Sequence, residues 1–221
     1  MKIGLISDIH ANYPALQAIL ADMSPVNEIV CAGDVIGYNP MSRACVDQVQ
    51  EVASITVQGN HDRVVENPDR YRGNEMAFAG LKHARNELSD TQRKWLQDLP
   101  QTATFGDGKY LLVHSHPATR DKYVYPENYE HLREYLDDFD GLVLGHTHIQ
   151  HKTYVDDRII INPGSVGQPR DGNPHAAYAI LDTETNGVEL HRTKYDIDHI
   201  YDEIIAEGLP SKTAERLLNG E

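Results

Sequence analysis

Five short apolar runs in this chain each end in residues that can hold a metal ion or move a proton. They close on Asp8-Ile-His10, Gly33-Asp34, Gly59-Asn60-His61-Asp62, His114-Ser-His116 and Gly145-His146-Thr-His148. A β-strand places residues i and i+2 on one side, so a strand that persists past Ser7 would aim Asp8 and His10 at one spot. Ligands of α/β sheets collect at the carboxyl ends of strands. Asp8, His10, Asp34, Asn60, His114, His146 and His148, with His61 to spare, form an oxygen and nitrogen donor set large enough for two divalent ions. Without thiolate, that set suits Mn²⁺, Fe, Zn²⁺, Co²⁺ or Ni²⁺ better than structural zinc. Two such ions ~3.5–4 Å apart share a bridging carboxylate, acidify water between them and clamp an in-line phosphoryl displacement. Taken singly, each cluster is an ordinary turn built on Asx and Gly residues. The repetition at five successive run ends is what turns alone do not explain.

The elements that must position these residues alternate. A first strand, Lys2 to Ser7, precedes a helix with Pro14 in its first turn and a Leu16, Ile19, Leu20 stripe. A second strand runs from Glu28 towards Asp34, a second helix from Met41 to Val52, and a third strand from Ala53 to Gln58. The middle is helical. Asn74 to Leu88 has helical periodicity, and Ser89-Asp-Thr-Gln92 is a capping box opening a helix that Pro100 stops. Gly106-Asp-Gly108 marks a hairpin into Lys109–Val113. A tyrosine-rich loop leads to a helix predicted over Tyr129–Phe139, then to a buried strand from Gly141 to Gly145. Hairpins over Gln150–Ile161 and His175–Lys194 follow, and a helical tail from Ile197 breaks at Gly208-Leu-Pro210. No repeat or linker divides residues 1–221, so one domain is expected, with βαβαβ first and hairpins last.

Composition narrows the partners. The net charge of −14, from 20 Lys and Arg against 34 Asp and Glu, repels nucleic-acid polymers and anionic membranes. A small substrate is the partner that fits, and a homo-oligomer is compatible with the composition. No window nears the ~20 apolar residues of a membrane span. No leader pattern opens the sequence, and Cys31 and Cys45 suggest neither a disulfide framework nor a thiolate site, so the cytoplasm is the expected compartment.

The five clusters, in this order, resemble the motifs of the calcineurin-like metallophosphoesterases. The stretch Ile161-Asn-Pro-Gly-Ser-Val-Gly-Gln168 is similar to the small prokaryotic phosphodiesterase (YfcE-type) branch. The resemblance implies a four-layer αββα sandwich: two mixed β-sheets flanked by helices. It implies a dinuclear, metal-dependent hydrolase that cleaves a P–O ester bond by in-line attack of a metal-bridging hydroxide, with diesters favoured over monoesters. Asp8, His10 and His148 would hold the first ion, Asn60, His114 and His146 the second, and Asp34 would bridge them. His61 would leave the metals alone, contact the phosphoryl group and stabilise or protonate the leaving oxygen. Other activities of the same fold are a protein phosphatase, a dinucleoside polyphosphate hydrolase and a non-catalytic protein-binding scaffold. A complete ligand set with a catalytic histidine favours the enzyme.

Some assignments stay open at this level. His114-Ser115-His116 offers two histidines, of which His114 lies nearer the strand end. Asn12 and Arg170 are candidate substrate-binding residues: Asn12 is also a helix N-cap type, and Arg170 is also at home in a surface turn. Arg63 is in the same position as Arg170. Tyr123, Tyr125 and Tyr129 are candidates for a cleft wall. The remaining histidines read as surface or packing residues.

Overall fold

Strand β1 (Lys2–Ile6) is buried from its second residue onward and pairs in parallel with β2 (Glu28–Cys31), which pairs in parallel with β3 (Ala53–Thr56). The computed structural model describes residues 1–221. On the other side of β1 runs antiparallel β9 (Ala176–Asp182), followed by β10 (Gly187–Thr193), giving the order β10-β9-β1-β2-β3. A second sheet has the order β4-β5-β6-β8-β7, from β4 (Thr102–Phe105), β5 (Tyr110–Val113), β6 (Gly141–Val143), β7 (His151–Val155) and β8 (Arg158–Asn162). Here β5, β6 and β8 are parallel and the edges antiparallel. Both sheets are mixed, as the resemblance implies.

Alternation along the strands builds the layers. Ile3 and Leu5 of β1 pack with Val143, Ile159 and Ile161 of the second sheet, whereas Ile6 turns to the helices. Those helices are α1 (Tyr13–Asp22), α2 (Ser42–Val52), α4 (Glu75–Glu87) and α5 (Asp90–Asp98), the last capped by the Ser89–Gln92 box. Helix α3 is a single turn, Asn60–Arg63. The outer face of the second sheet, including Leu142 and Ile160, is covered by Tyr129, Leu132 and Leu136. They belong to a 3₁₀ segment, Pro126–Leu136, and not to the α-helix predicted over Tyr129–Phe139. Tyr129, Leu132 and Tyr135 recur every third residue, and three residues per turn stacks them on one line. Helices α6 (Ile197–Ala206) and α7 (Ser211–Asn219) close the chain as a pair around Ile200, Ile204 and Leu217, against Met41 and Ala79. No helix is long and apolar enough to cross a membrane.

Candidate active site

The parallel strands of both sheets deliver their carboxyl ends to one rim, but none reaches the donor residues as a strand. Beyond Ile6 the chain leaves extended geometry: Asp8, His10 and Ala11 have φ of 53°, 47° and 54°. Asp34, His146 and His148 are left-handed too, at 54°, 69° and 61°. The expected persistence of β1 is thus corrected, and tight loops aim these side chains instead. Such backbone costs ~1–2 kcal/mol per non-glycine residue, so other contacts have to hold it. The amides of Asp8 and His10 donate to the carbonyls of Gly33 and Asp34 at 2.9 and 3.0 Å. The Asp62 carboxylate accepts from four amides: Asp34 (2.8 Å), Val35 (2.9 Å), Ile36 (3.4 Å) and Gly59 (3.0 Å). Ser165 Oγ donates to the Asp8 carbonyl at 2.7 Å, tying the second sheet to the first.

Every donor named above is buried. His10 Nδ1–H donates to the Ile36 carbonyl (3.1 Å) and His148 Nδ1–H to that of Gln168 (2.6 Å). Both rings then present Nε2 as a lone pair, and those nitrogens face each other at 3.1 Å with Asp8 Oδ1 3.3 Å from His148 Nε2. His114 repeats the pattern. Its Nδ1–H donates to the Ala32 carbonyl (2.8 Å), leaving Nε2 against Asn60 Oδ1 (3.0 Å) and Asp34 Oδ2 (3.4 Å). Asp34 Oδ2 also lies 3.7 Å from His10 Nε2, so one carboxylate faces both groups. His146 Nε2–H donates to the Asp121 carbonyl (3.2 Å), which frees its Nδ1. Acceptors crowded against acceptors require a cation. The residues present therefore fit divalent ions, in the triads Asp8–His10–His148, His10–Asp34–His61 and Asp8–Asp34–His114.

The balance of burial and charge carries the same frustration. Burial opposes a charge on His114, but Asp34 beside it overrides burial and raises its pKa to about 10, so a proton stands where a cation fits. Burial lowers His61 and His146 to about 4 and holds His10 and His148 well below the ordinary value. Burial also raises Asp8 to about 6 and Asp62 to about 7, with Asp34 adding to both. Burial pushes Asp34 upward as well, yet the surrounding histidines outweigh it and keep this carboxylate ionised.

The donors open onto a cleft of about 170 Å³. Its walls include His61, Tyr38, Tyr71, Tyr123 and Arg170. The His61 amide donates to Asp34 Oδ1 (2.8 Å), while its ring Nδ1 is buried without a protein partner. Arg170 lies over the Tyr38 ring and donates to its hydroxyl (3.2 Å) and to Gln168 Oε1 (2.7 Å). The sequence-level candidates divide here. His114 is in the cluster, whereas His116 packs edge-on against Tyr135. Asn12 is fully buried, caps α1 at the Ala15 amide and donates to the Gly167 carbonyl. Its amide is consumed by holding two loops together. Arg63 pairs with Asp121 at 2.6 Å. Tyr129 is core, Tyr123 lines the cleft, and Tyr125 stacks beside Tyr123.

Residues 1–186 match the calcineurin-like phosphoesterase superfamily domain. The chain belongs to that superfamily. It is 33% identical to an uncharacterized protein of Methanocaldococcus jannaschii, across 99% of this chain and 98% of that protein. It is 28% identical to phosphodiesterase YfcE of Escherichia coli, across 85% of this chain and 91% of the relative. The crystal structure of a metallophosphoesterase from Sphaerobacter thermophilus superposes with a TM-score of 0.88 at 32% identity, covering 100% of this chain and 99% of the other.

Two features of this superfamily member escape sequence reasoning. Asp62 reads as a neighbour of His61, and only its place as the third residue after Gly59 hints at a cap. Its partners at residues 34–36 are remote in sequence. Tyr71, whose hydroxyl accepts from Asn60 Nδ2 at 2.6 Å, turns Asn60 Oδ1 towards His114. No local signal marks it.

Proposed function

We propose that the chain is a dinuclear metal-dependent phosphoesterase that prefers phosphodiesters to monoesters. The observation that carries this reading is Asp34 Oδ2, placed 3.7 Å from His10 Nε2 and 3.4 Å from His114 Nε2 among lone pairs that only cations reconcile. Asp8, His10 and His148 would hold one ion, Asn60, His114 and His146 the other, with Asp34 within reach of both. Bound there, divalent ions supply Lewis acidity that acidifies water and neutralises phosphoryl charge. His61 meets the phosphoryl group from the cleft. Burial keeps its ring neutral, with a pKa of about 4, until an anion arrives. A phosphate beside the ring favours the imidazolium, which can then hand a proton to the leaving oxygen. Arg170 adds positive charge at the rim. The preference for diesters is supported by the relationship to a phosphodiesterase.

The test is hydrolysis of bis(p-nitrophenyl) phosphate by chelator-stripped protein resupplied with Mn²⁺, Ni²⁺ or Mg²⁺. Activity should return with metal, exceed that on the p-nitrophenyl monoester, and fall by ~10²–10⁴-fold in His61→Ala with metal content unchanged. Metal-loaded protein that leaves both esters intact defeats the proposal.

A further inference from the structure

Tyr123 leads out of the donor cluster. Its ring stacks on His146, with centroids 4.1 Å apart and planes inclined by 27°. Tyr125 lies nearly parallel to Tyr123, at 10°, with centroids 5.9 Å apart. At that spacing two rings are offset, so each leaves part of a face uncovered. Tyr123 is 47% exposed and Tyr125 40%. A single exposed aromatic is ordinary, but a stack that begins on a candidate metal ligand and runs into solvent is not.

The other tyrosines of the cleft are committed through their hydroxyls. Tyr38 accepts a hydrogen bond from Arg170, and Tyr71 accepts one from Asn60. Tyr154, also exposed, donates to the Asn186 carbonyl at 2.9 Å. Tyr123 and Tyr125 offer ring surface instead. Against Tyr123 lies a second hollow, of about 210 Å³. Tyr123 is the one residue that lines both this hollow and the cleft over the donors. Buried Val124 and Leu132 give the hollow apolar walls, while Lys122 and Asn128 bring hydrogen-bonding groups to it. An apolar slot beside an aromatic face, with donors and an acceptor in reach, matches a planar ring whose edge is polar.

We propose that Tyr123 and this hollow form the subsite for one ester substituent of the phosphodiester, and that this substituent carries a nucleobase. With phosphorus at the donor cluster, the base lies against Tyr123 and turns its polar edge to Lys122 and Asn128. The inference rests on the phosphoesterase reading and names its substrate class. That class is small nucleoside phosphodiesters, since a net charge of −14 repels the polymers.

Isothermal titration of metal-loaded full-length protein tests it. The probes are 2-(adenin-9-yl)ethoxymethylphosphonate and its counterparts with phenyl or cyclohexyl in place of adenine. All share one tether and a P–C bond that the enzyme does not cleave. The adenine compound should bind at least about fivefold more tightly than the cyclohexyl one, the lower end of what stacking a base on an aromatic side chain contributes. Phenyl should fall between them. Tyr123→Leu should bring the adenine-to-cyclohexyl ratio near one. Cyclohexyl binding as tightly as adenine in the wild type, or no binding by any probe, overturns the proposal. So does an adenine preference that survives Tyr123→Leu in a protein that melts like the wild type. Phenyl equal to adenine overturns the nucleobase. The wild-type ratios decide even if the variant unfolds or loses metal. Hydrolysis of bis(p-nitrophenyl) phosphate is scored separately. Turnover with equal affinities for the probes keeps the catalytic reading and defeats the subsite; lost turnover with an intact adenine preference does the reverse.

Discussion

Asp8, His10 and His148 occupy one end of the donor cluster, Asn60, His114 and His146 the other, and the two trios are braced by different kinds of structure. In the first, both imidazoles are fixed by backbone carbonyls of loops that Asp62 and Ser165 lock together. In the second, His114 is braced by the Ala32 carbonyl, one residue past β2. Asn60 depends on a hydroxyl from the 3₁₀ turn Pro68–Tyr71, and His146 on the carbonyl of Asp121 in the irregular loop after β5. Asp121 is itself anchored by an ion pair with half its side chain in solvent. Exposed pairs of this kind contribute little. The contrast teaches that one half of the centre is held by loops that buried hydrogen bonds lock together, while the other leans on a 3₁₀ turn and on the loop after β5.

The largest effect should come from the residue both halves share. Asp34→Ala is expected to strip both ions and lower activity by more than the ~10²–10³-fold that loss of one electrostatic donor costs; metal analysis and diester turnover check it. Next come His10→Ala and His146→Ala. If the halves differ as described, His10→Ala should depress the affinity of both ions, because the shared carboxylate loses its braced neighbour. His146→Ala should weaken one ion and leave the other near wild-type affinity. Chelator competition that shows equal losses in the two variants would break the comparison.

A third expectation concerns the ion-free protein. His10, His61, His146 and His148 are kept neutral by burial, whereas in the unfolded chain they titrate near 6.5. Between pH 6.5 and 4 the unfolded state gains about four protons that the folded state refuses, and Asp8 and Asp62 return about two to the folded side. The unfolded chain therefore binds more protons, and stability should fall with falling pH by roughly 2–3 kcal/mol per unit. His114 acts in the opposite direction. Its raised value means a contribution present below pH 6.5 and lost as pH rises towards 10. Thermal melts in chelator at pH 5, 7 and 9 should peak at 7, and a higher midpoint at pH 5 contradicts the assignment. The smallest effect sharpens the contrast most. Tyr71→Phe should weaken only the Asn60 end, by about tenfold, as expected when an outer partner of a ligand is lost.

Much of this was legible in the residues themselves. Strand positions follow from apolar runs, the α5 start from its capping box, and the donor set from residue types at run ends. What was hidden is non-local or conformational. No pattern announces that Asp8 and Asp34 turn left-handed, because the contacts that enforce it come from residues 24 or more positions away. Asn12 looked available because a cap and a ligand use the same side chain, and only packing showed its amide to be taken at both ends. The sequence of the 3₁₀ segment reads as α-helix because an i, i+3 repeat is common to both periods.

The left-handed residues have a further consequence. Ala11, at φ 54° and with no polar group to place, carries the same conformational burden as Asp8 and His10 beside it. A library of this protein screened only for expression or heat resistance would favour glycine at these positions and apolar groups in place of the buried histidines. Each such winner would fold better and do less. For this chain, selection on foldedness alone is a route to an inert scaffold, and any stabilisation campaign needs the chemistry as a second filter.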